Sequence, residues 1–134
     1  MNKNILTKSK IIKTKGSSIL KYLKSSKNLK IKSIYFSEIK YGYQKGWNLH
    51  KKTSCNFSVI FGKIKVTIFN KTNKVHKSYI ISRKNLSILK IPKNYWFKYE
   101  SLNQPFSLLV NSISIKHSKK ETKKVDCNKY ELPE

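Results

Sequence analysis

The stretch YGYQKGWNLHKKTSCNFSVIFGK, residues 41–63, carries the pattern that decides the fold of this chain. Its last part, NFSVIF (56–61), leads into Gly62, and KIKVTIF (63–69) follows directly. A glycine between two such runs is a strand–turn–strand signal. In the second run every other residue is apolar and shares one face: Ile64, Val66 and Ile68. We therefore expect two strands that meet at Gly62, the second with one buried face.

Short segments of similar composition lie on both sides of this stretch. They are rich in Ile, Leu, Tyr and Phe, and glycine or proline separates several of them: 30–39, 77–82, 86–91, 95–100 and 105–115. The segment SSILKYLKSS (17–26) is compatible with a helical turn or with another strand. Short strands at close spacing, without long helices, predict an all-β sandwich or small barrel.

The length of 134 residues suits one domain with one hydrophobic core. The lysine-rich start of the chain predicts a basic tail over residues 1–10, and residues 11–134 are expected to form the single domain. The composition of residues 116–134 is also that of a loose tail.

The formal charge of +24 indicates either a lysine-rich solvated surface or a preference for anionic partners. Arg83 is the one arginine among 30 Lys and Arg residues, although arginine is favoured for bidentate contacts to phosphate and guanine. Lys, Asn and Ile, all abundant here, have A/T-rich codons, so coding bias accounts for part of the charge. We expect no specific nucleic-acid partner, and any nucleic-acid binding should weaken steeply with salt.

The cysteine content and the hydropathy are those of a cytoplasmic protein. Cys55 and Cys127 form neither a CxxC pair nor a disulfide framework, so both are expected as reduced thiols. No apolar run approaches the length of a membrane span, and the first residues lack the apolar core of a signal peptide.

The spacing within the quoted stretch resembles the first motif of the cupins, small β-barrels of the jelly-roll or double-stranded β-helix type. That motif runs Gly, five residues, His, one residue, His, four residues, Glu, six residues, Gly. Here Gly42, Asn48, His50, Cys55 and Gly62 occupy those places. The resemblance implies a cupin-like barrel in which the first His and the Glu are replaced.

The second cupin motif, Pro-x-Gly-x-x-His, is matched at its positions by Pro92, Asn94 and Phe97. Metal-binding cupins need three or four imidazole or carboxylate ligands around one ion. Of the motif positions only His50 keeps such a ligand, and a pair of His50 with Cys55 is a weak zinc site. We therefore expect a barrel that holds no metal and no other cofactor.

The segment KGWNLHKK (45–52) resembles the Lys-Gly-Trp-His motif of a short branch of the dTDP-4-dehydrorhamnose 3,5-epimerases, which are cupins without metal. Further likeness follows in the order of the chain: GSSILKYLKSS (16–26), IYFSEI (34–39), FGKIKVTIF (61–69), LKIPKNYWFKY (89–99) and LLVNSISI (108–115). The resemblance implies a homodimer that takes a nucleoside-diphosphate sugar, in the synthesis of a surface polysaccharide.

The reaction of that family removes the proton beside the keto group of a 4-keto-6-deoxy sugar. It needs a base within hydrogen-bond reach, a cation or donor for the enolate oxygen, and an acid for the opposite face. The resemblance assigns these roles to a His, a Lys and a Tyr, which fall here at Asn48, Cys55 and near Val110. Asparagine cannot accept a proton near neutral pH, and no tyrosine lies between Tyr99 and Tyr130.

His50 is the remaining candidate for the base. Residues two apart on a strand face the same side, so His50 lies in the pocket if Asn48 does. The alternative is a hydrogen-bonded interior histidine without a catalytic role. We expect Lys45 to neutralise the diphosphate, and the further substrate-binding residues are expected to be Asn48, Cys55, Phe97 and Tyr99.

Three other side chains are expected outside the pocket. Trp47 would face away from Asn48 and serve in packing or in a dimer contact. His76 and His117 lie in polar surroundings, which is typical of surface residues.

The expected function is that of a dTDP-4-dehydrorhamnose 3,5-epimerase-like protein, which acts on or binds a nucleoside-diphosphate 4-keto-6-deoxy sugar. Because the usual catalytic groups are replaced, turnover is left open. The alternatives are a sugar-nucleotide 3,4-ketoisomerase, a non-catalytic sugar-nucleotide-binding cupin and a basic nucleic-acid-binding barrel. The scarcity of arginine disfavours the last of these.

Overall fold

The structure is a computed structural model that describes residues 5–24, 27, 29–115, 119–126 and 132–133. Within these residues the chain forms strands and one short 3-10 turn, Lys119–Glu121, and none of the described helical segments could cross a membrane. The strands are β1 (Leu6–Lys8), β2 (Ile11–Thr14), β3 (Ser17–Leu20), β4 (Ser33–Lys40), β5 (Gln44–His50), β6 (Cys55–Phe61), β7 (Lys63–Asn70), β8 (Val75–Ser82), β9 (Ser87–Ile91), β10 (Trp96–Ser101), β11 (Phe106–Ile113) and β12 (Thr122–Lys124).

Two five-stranded sheets pack as a jelly roll, which confirms the predicted all-β, cupin-like barrel. The first sheet has the order β1-β9-β6-β11-β4 and the second the order β12-β5-β10-β7-β8, while β2 and β3 form a separate hairpin. The strands are antiparallel within each sheet. Apolar side chains from both sheets form one core, in which Phe57 and Leu109 of the first sheet meet Val66 and Tyr99 of the second.

The turn at Gly62 moves the chain from one sheet to the other. The predicted strand–turn–strand is present, but β6 pairs with β9 and β11 whereas β7 pairs with β8 and β10. Gly62 has a φ of 88°, and a Cβ at this position would lie 2.5 Å from Ser107 Oγ. The predicted buried face of β7 is confirmed, because three of its side chains are 0% exposed: Ile64, Val66 and Ile68.

Strands also occur in the segments for which tails are predicted. Within residues 1–10, Leu6–Lys8 pairs with β9 at the edge of the first sheet, and within residues 116–134, Thr122–Lys124 pairs with β5. For residues 17–26 the alternatives were a helical turn and a strand. The strand is present in part, as Ser17–Leu20, while residues 25–26 lie outside the described part. The division of the chain at residue 10 stays a prediction.

Gly46 lies on β5 against the backbone of β10, and its replacement is expected to destabilise the barrel. Its φ is 119°, and an added Cβ would lie 2.6 Å from the carbonyl oxygen of Phe97 and 2.7 Å from Lys98 Cα. Backbone strain and overpacking together predict that Gly46→Ala lowers the free energy of unfolding by about 2–4 kcal/mol, measured by urea denaturation.

Gly42→Ala is the matched control for that change. Gly42 has a similar left-handed φ of 81°, but nothing lies within 4 Å of its added Cβ. Only the conformational cost of a left-handed alanine remains there, about 1–2 kcal/mol. Equal losses of stability in the two variants would show that the close approach of β5 and β10 contributes nothing.

Candidate active site

A cavity of about 350 Å³ opens between the two sheets. Strands β4, β6 and β11 of the first sheet and β5 and β10 of the second supply its lining: Tyr35, Ser37, Asn48, His50, Phe57, Phe97, Tyr99, Leu109 and Asn111. The two-residue period of β5 turns Asn48 and His50 to the same side, and both line the cavity. Trp47, on the opposite face of that strand, packs with Leu49 and Trp96.

A carboxylate and an aromatic ring hold the imidazole of His50. Its Nδ1 is hydrogen-bonded to Glu121 Oε1, and its ring stacks on Phe97 with centroids 6.0 Å apart and planes 8° apart. Because the carboxylate accepts a hydrogen bond from Nδ1–H, Nε2 carries the lone pair, which is the tautomer that a base at that atom needs. The pairing therefore orients His50 and selects its basic nitrogen.

Glu121 is itself held firmly beside the start of the loop that follows β5. Its side chain is 3% exposed, its Oε2 accepts the backbone N–H of Lys52 at 3.2 Å, and its carbonyl oxygen accepts the N–H of Lys51 at 2.9 Å. Strand β12 continues from Glu121 and pairs Thr122 with His50. These hydrogen bonds and the strand pairing thus fix the position of the Glu121 carboxylate in the barrel.

Aromatic side chains form part of the cavity wall. Phe57 contacts Phe97 and Tyr99 edge to face, at centroid distances of 5.4 Å and 5.6 Å. Burial raises the pKa of Tyr99 to about 12. The phenol therefore keeps its proton at neutral pH and is available as a donor of a hydrogen bond or a proton.

Tyr35 is a second phenol in the cavity, and no motif position predicts it as a site residue. It lies on β4, beside Asn111 of β11 in the register of the two strands, and burial raises the pKa of its hydroxyl. The expected position near Val110 provides no tyrosine, but the cavity receives phenols from Tyr35 and Tyr99 instead. The alternation within residues 30–39 places Tyr35 on the inner face and could have indicated it.

Two of the predicted substrate-binding residues do not line this cavity. Cys55 is 1% exposed and belongs to the hydrophobic core, where its thiol interacts with the side chain of Asn111. Lys45 is exposed and lines a shallow neighbouring depression together with Lys124 and Asn48. Asn48 lines both the depression and the cavity.

The other two histidines differ in what the structure shows of them. His76 is exposed and contacts the edge of Phe69, at a centroid distance of 5.8 Å. His117, like Cys127, lies outside the described residues. His50 is therefore the one histidine of the described part that lines the cavity.

Cys55 is expected to be chemically inert in the folded protein. Burial raises the pKa of its thiol to about 12, so the thiolate that reacts with thiol reagents is scarce at pH 8. In a Cys127→Ser background, we expect no labelling by a disulfide reagent at pH 8 until denaturant is added. Rapid labelling of the native protein would place Cys55 at an accessible site.

No group of three or more His, Cys, Asp or Glu side chains in the described part is arranged to hold a metal ion. The His50–Glu121 pair offers only two ligand side chains, and structural or catalytic zinc sites use at least three. The metal-free barrel stays a prediction, and elemental analysis that finds one transition metal per chain would contradict it.

The sequence matches no protein-family model and no curated protein. Solved structures are similar to it. A dTDP sugar isomerase from Desulfovibrio desulfuricans G20 has a TM-score of 0.83 and 24% identity, over 90% of this chain and 82% of that one. A sugar 3,4-ketoisomerase from Thermoanaerobacterium thermosaccharolyticum in complex with TDP has a TM-score of 0.73 and 18% identity, over 87% and 84%.

A dTDP-4-dehydrorhamnose 3,5-epimerase from Bacillus anthracis, with TDP and PPi bound, has a TM-score of 0.79 and 17% identity, over 93% of this chain and 79% of that one. At such identities the likeness shows the fold. The resemblance inferred from the motifs is confirmed at this level, because the chain has the barrel of the dTDP-sugar epimerases and 3,4-ketoisomerases.

Proposed function

We propose that the cavity takes a nucleoside-diphosphate 4-keto-6-deoxy sugar and that His50 removes the proton beside the keto group. The observation that carries this proposal is the pairing of His50 with the buried Glu121 in a cavity that contains no other imidazole within the described residues. Proteins of the same fold that bind TDP or a TDP-sugar support the choice of ligand.

The reaction begins with transfer of the proton next to the carbonyl to Nε2 of His50. Glu121 then stabilises the imidazolium that forms, because its carboxylate already accepts a hydrogen bond from Nδ1–H. The enolate oxygen needs hydrogen-bond donors, and the amide of Asn48 and the phenol of Tyr99 line the same cavity. Tyr35 is our candidate for the acid that returns the proton.

The reaction class is epimerisation or keto-group migration, and the need for an acid on the opposite face of the sugar distinguishes them. A 3,4-ketoisomerase moves the C3 proton to C4 while the hydroxyl proton of O3 moves to O4, so a base on one face, such as the imidazole of His50, is sufficient. That observation favours the ketoisomerase as the second candidate function. A sugar-nucleotide-binding protein without turnover is the outcome if no proton exchange occurs.

The diphosphate is proposed to lie in the depression beside the cavity. Lys45, Lys124 and Asp126 line it, and Asn48 lines both the depression and the sugar cavity. The two ammonium groups outnumber the one carboxylate, and the net positive charge suits a diphosphate. In this proposal Lys45 neutralises the diphosphate, as predicted, from a position outside the cavity.

A homodimer in the cytoplasm, in the synthesis of a surface polysaccharide, completes the proposal. The outer face of edge strand β4 exposes Ile34 and Phe36, which are 53% and 64% exposed, and a second copy of the chain would cover them. Sedimentation equilibrium tests the dimer, and a monomer at all concentrations would contradict it.

Glu121→Gln tests the proposed function. The native protein is expected to exchange the C3 proton of dTDP-4-keto-6-deoxyglucose for deuterium in heavy water, slowly, since the family's usual base is absent. The variant should exchange about 10- to 100-fold more slowly, because the amide orients His50 without stabilising the imidazolium. Glu100→Gln, which removes an acidic group on β10 that does not line the cavity, is the control.

Equal exchange rates in the native protein and Glu121→Gln would contradict the assigned base. The same rates should be compared across pH, because a purely structural role of Glu121 would lower activity uniformly without changing the profile.

A further inference from the structure

A second surface, apart from the cavity, lies at the end of the barrel where strands β4, β6, β8 and β10 end. We call it the turn face and define it as residues 40–43, 61–63, 80–85 and 101–106. Backbone hydrogen bonds join its turns: the N–H of Tyr41 donates to Pro105 at 3.0 Å, that of Arg83 to Gly62 at 3.0 Å, and that of Leu102 to Lys63 at 2.8 Å. The turns therefore form one continuous surface.

Large apolar side chains point outward from the turn face. Five of them are between 38% and 66% exposed: Tyr41, Tyr43, Phe61, Ile80 and Leu102. Folded proteins usually bury such side chains or scatter them singly. Several exposed apolar side chains at and beside adjacent turns indicate a surface that contacts an apolar or amphipathic partner.

The turn face also contains a basic depression of about 550 Å³. Lys63, Arg83 and Lys84 line it together with the carboxamides of Asn85 and Asn103. The residues that make up the turn face include no Asp or Glu, and among the described residues none of these cations forms an ion pair with a carboxylate. The chain's one arginine thus lies where a planar guanidinium can bind a phosphate group.

The turn face lies at the opposite end of the strands from the sugar cavity. Tyr35 and Phe57 come from the first halves of β4 and β6, whereas the turn face follows the last residues of those strands. His50, likewise, is the last residue of β5, which starts at the turn face. A partner on the turn face would leave the cavity open to water.

We propose that the turn face docks on an anionic lipid bilayer. A lipid phosphate enters the basic depression and is bound by Arg83, Lys63 and Lys84. The exposed tips then sit at the level of the headgroups, where tyrosine side chains are favoured and aliphatic side chains leave water. The net charge of +24 adds a general attraction to the negative surface.

Single-stranded nucleic acid would use the same charges, but the apolar tips fit it less well. Aromatic rings can stack on bases, whereas Ile80 and Leu102 are aliphatic and offer nothing for stacking. Both are exposed beside the lysines, at 61% and 38%. Aliphatic tips next to cations match the chemistry of a lipid headgroup region.

Vesicle co-sedimentation of the full chain tests the proposal. The probe is phosphatidylcholine vesicles with about 30% phosphatidylglycerol, compared with phosphatidylcholine alone, at physiological salt. Arg83→Ser/Lys84→Ser should weaken binding to the anionic vesicles about tenfold or more, because each basic residue near the surface contributes to the attraction. The native protein should not sediment with the neutral vesicles.

The control variant removes the same charge from the other end of the barrel. Lys71→Ser/Lys74→Asn changes two exposed lysines in the turn between β7 and β8, and asparagine tolerates the φ of 54° at position 74. It should bind the anionic vesicles almost as tightly as the native protein. A loss equal to that of Arg83→Ser/Lys84→Ser would show bulk charge alone and overturn the assigned surface.

A second variant tests the apolar tips. Tyr43→Ser/Leu102→Ser keeps every charge and should lower vesicle binding severalfold, because less apolar surface leaves water. Unchanged vesicle binding of this variant would contradict the claim that the exposed apolar side chains enter the headgroup region. Retention of the native protein by oligo-dT, lost in Arg83→Ser/Lys84→Ser, together with no vesicle binding would overturn the lipid assignment in favour of nucleic acid.

Discussion

Replacing His50 by glutamine is expected to reduce deuterium exchange at C3 of a dTDP-4-keto-6-deoxy sugar by a factor of roughly 10²–10⁴. Glutamine can hydrogen-bond to Glu121 but cannot accept the sugar's proton. The other polar groups of the cavity do not replace the imidazole, because Asn48 is an amide and the phenol of Tyr99 has a pKa of about 12. Proton NMR in heavy water measures the exchange.

His76→Gln is the control for this loss. His76 is exposed on β8 and does not line the cavity, so its replacement should leave the exchange rate unchanged. If His50→Gln exchanged as fast as the native protein, the working base would lie outside the cavity described here. His50 would then be a hydrogen-bonded interior histidine without a catalytic role.

Replacing Asn48 by histidine is expected to raise the exchange rate by a similar factor, roughly 10²–10⁴, since it adds an imidazole at the position to which the motif resemblance assigns the base. Asn48 is partly exposed and borders both the cavity and the diphosphate depression, so a larger side chain has room. Asparagine also resembles the proximal half of an imidazole. The same heavy-water assay measures the gain.

Asn48→Gln separates the new base from the change in size. It enlarges the side chain without adding a proton acceptor, so its exchange rate should not rise. A null result for Asn48→His, in a variant that still binds the sugar nucleotide, would favour a binding protein over an enzyme. Equal gains in both variants would contradict a role for the new imidazole as base.

The elements that local patterns predicted are those whose burial alternates along a single strand. The two-residue period of β7 identified its buried face, and the same period placed Asn48 and His50 together in the cavity. The order of short strands, together with the motif spacing, was sufficient for the jelly roll. These signals lie within a few residues of each other, so one sequence contains them in full.

The partner of His50 could not be predicted in the same way. Glu121 is 71 positions away from it, in a segment with the composition of a tail. Only the pairing of β12 with β5 brings the carboxylate to the imidazole, and three-residue strands leave almost no periodic signal. Residues 116–134 contain four acidic residues, Glu121, Asp126, Glu131 and Glu134, and no local pattern distinguishes Glu121 among them.

At Cys55 the motif position and the lining of the cavity differ. Its spacing matches the motif, yet the thiol lies in the core next to Asn111. Motif spacing fixes a place along a strand, whereas the packing of the neighbouring strands decides whether that place faces the cavity or the core. Replacing this side chain by lysine would bury an ammonium group in the core at high cost.

The central claim is that the sugar nucleotide binds in the cavity beside His50, and a titration followed by the imidazole resonances tests it most directly. The chain has three histidines, and separate His→Gln variants assign their signals. On addition of dTDP-4-keto-6-deoxyglucose we predict a saturable shift of the His50 signal while that of His76 stays unchanged. Saturable binding without any shift at His50 would contradict the account.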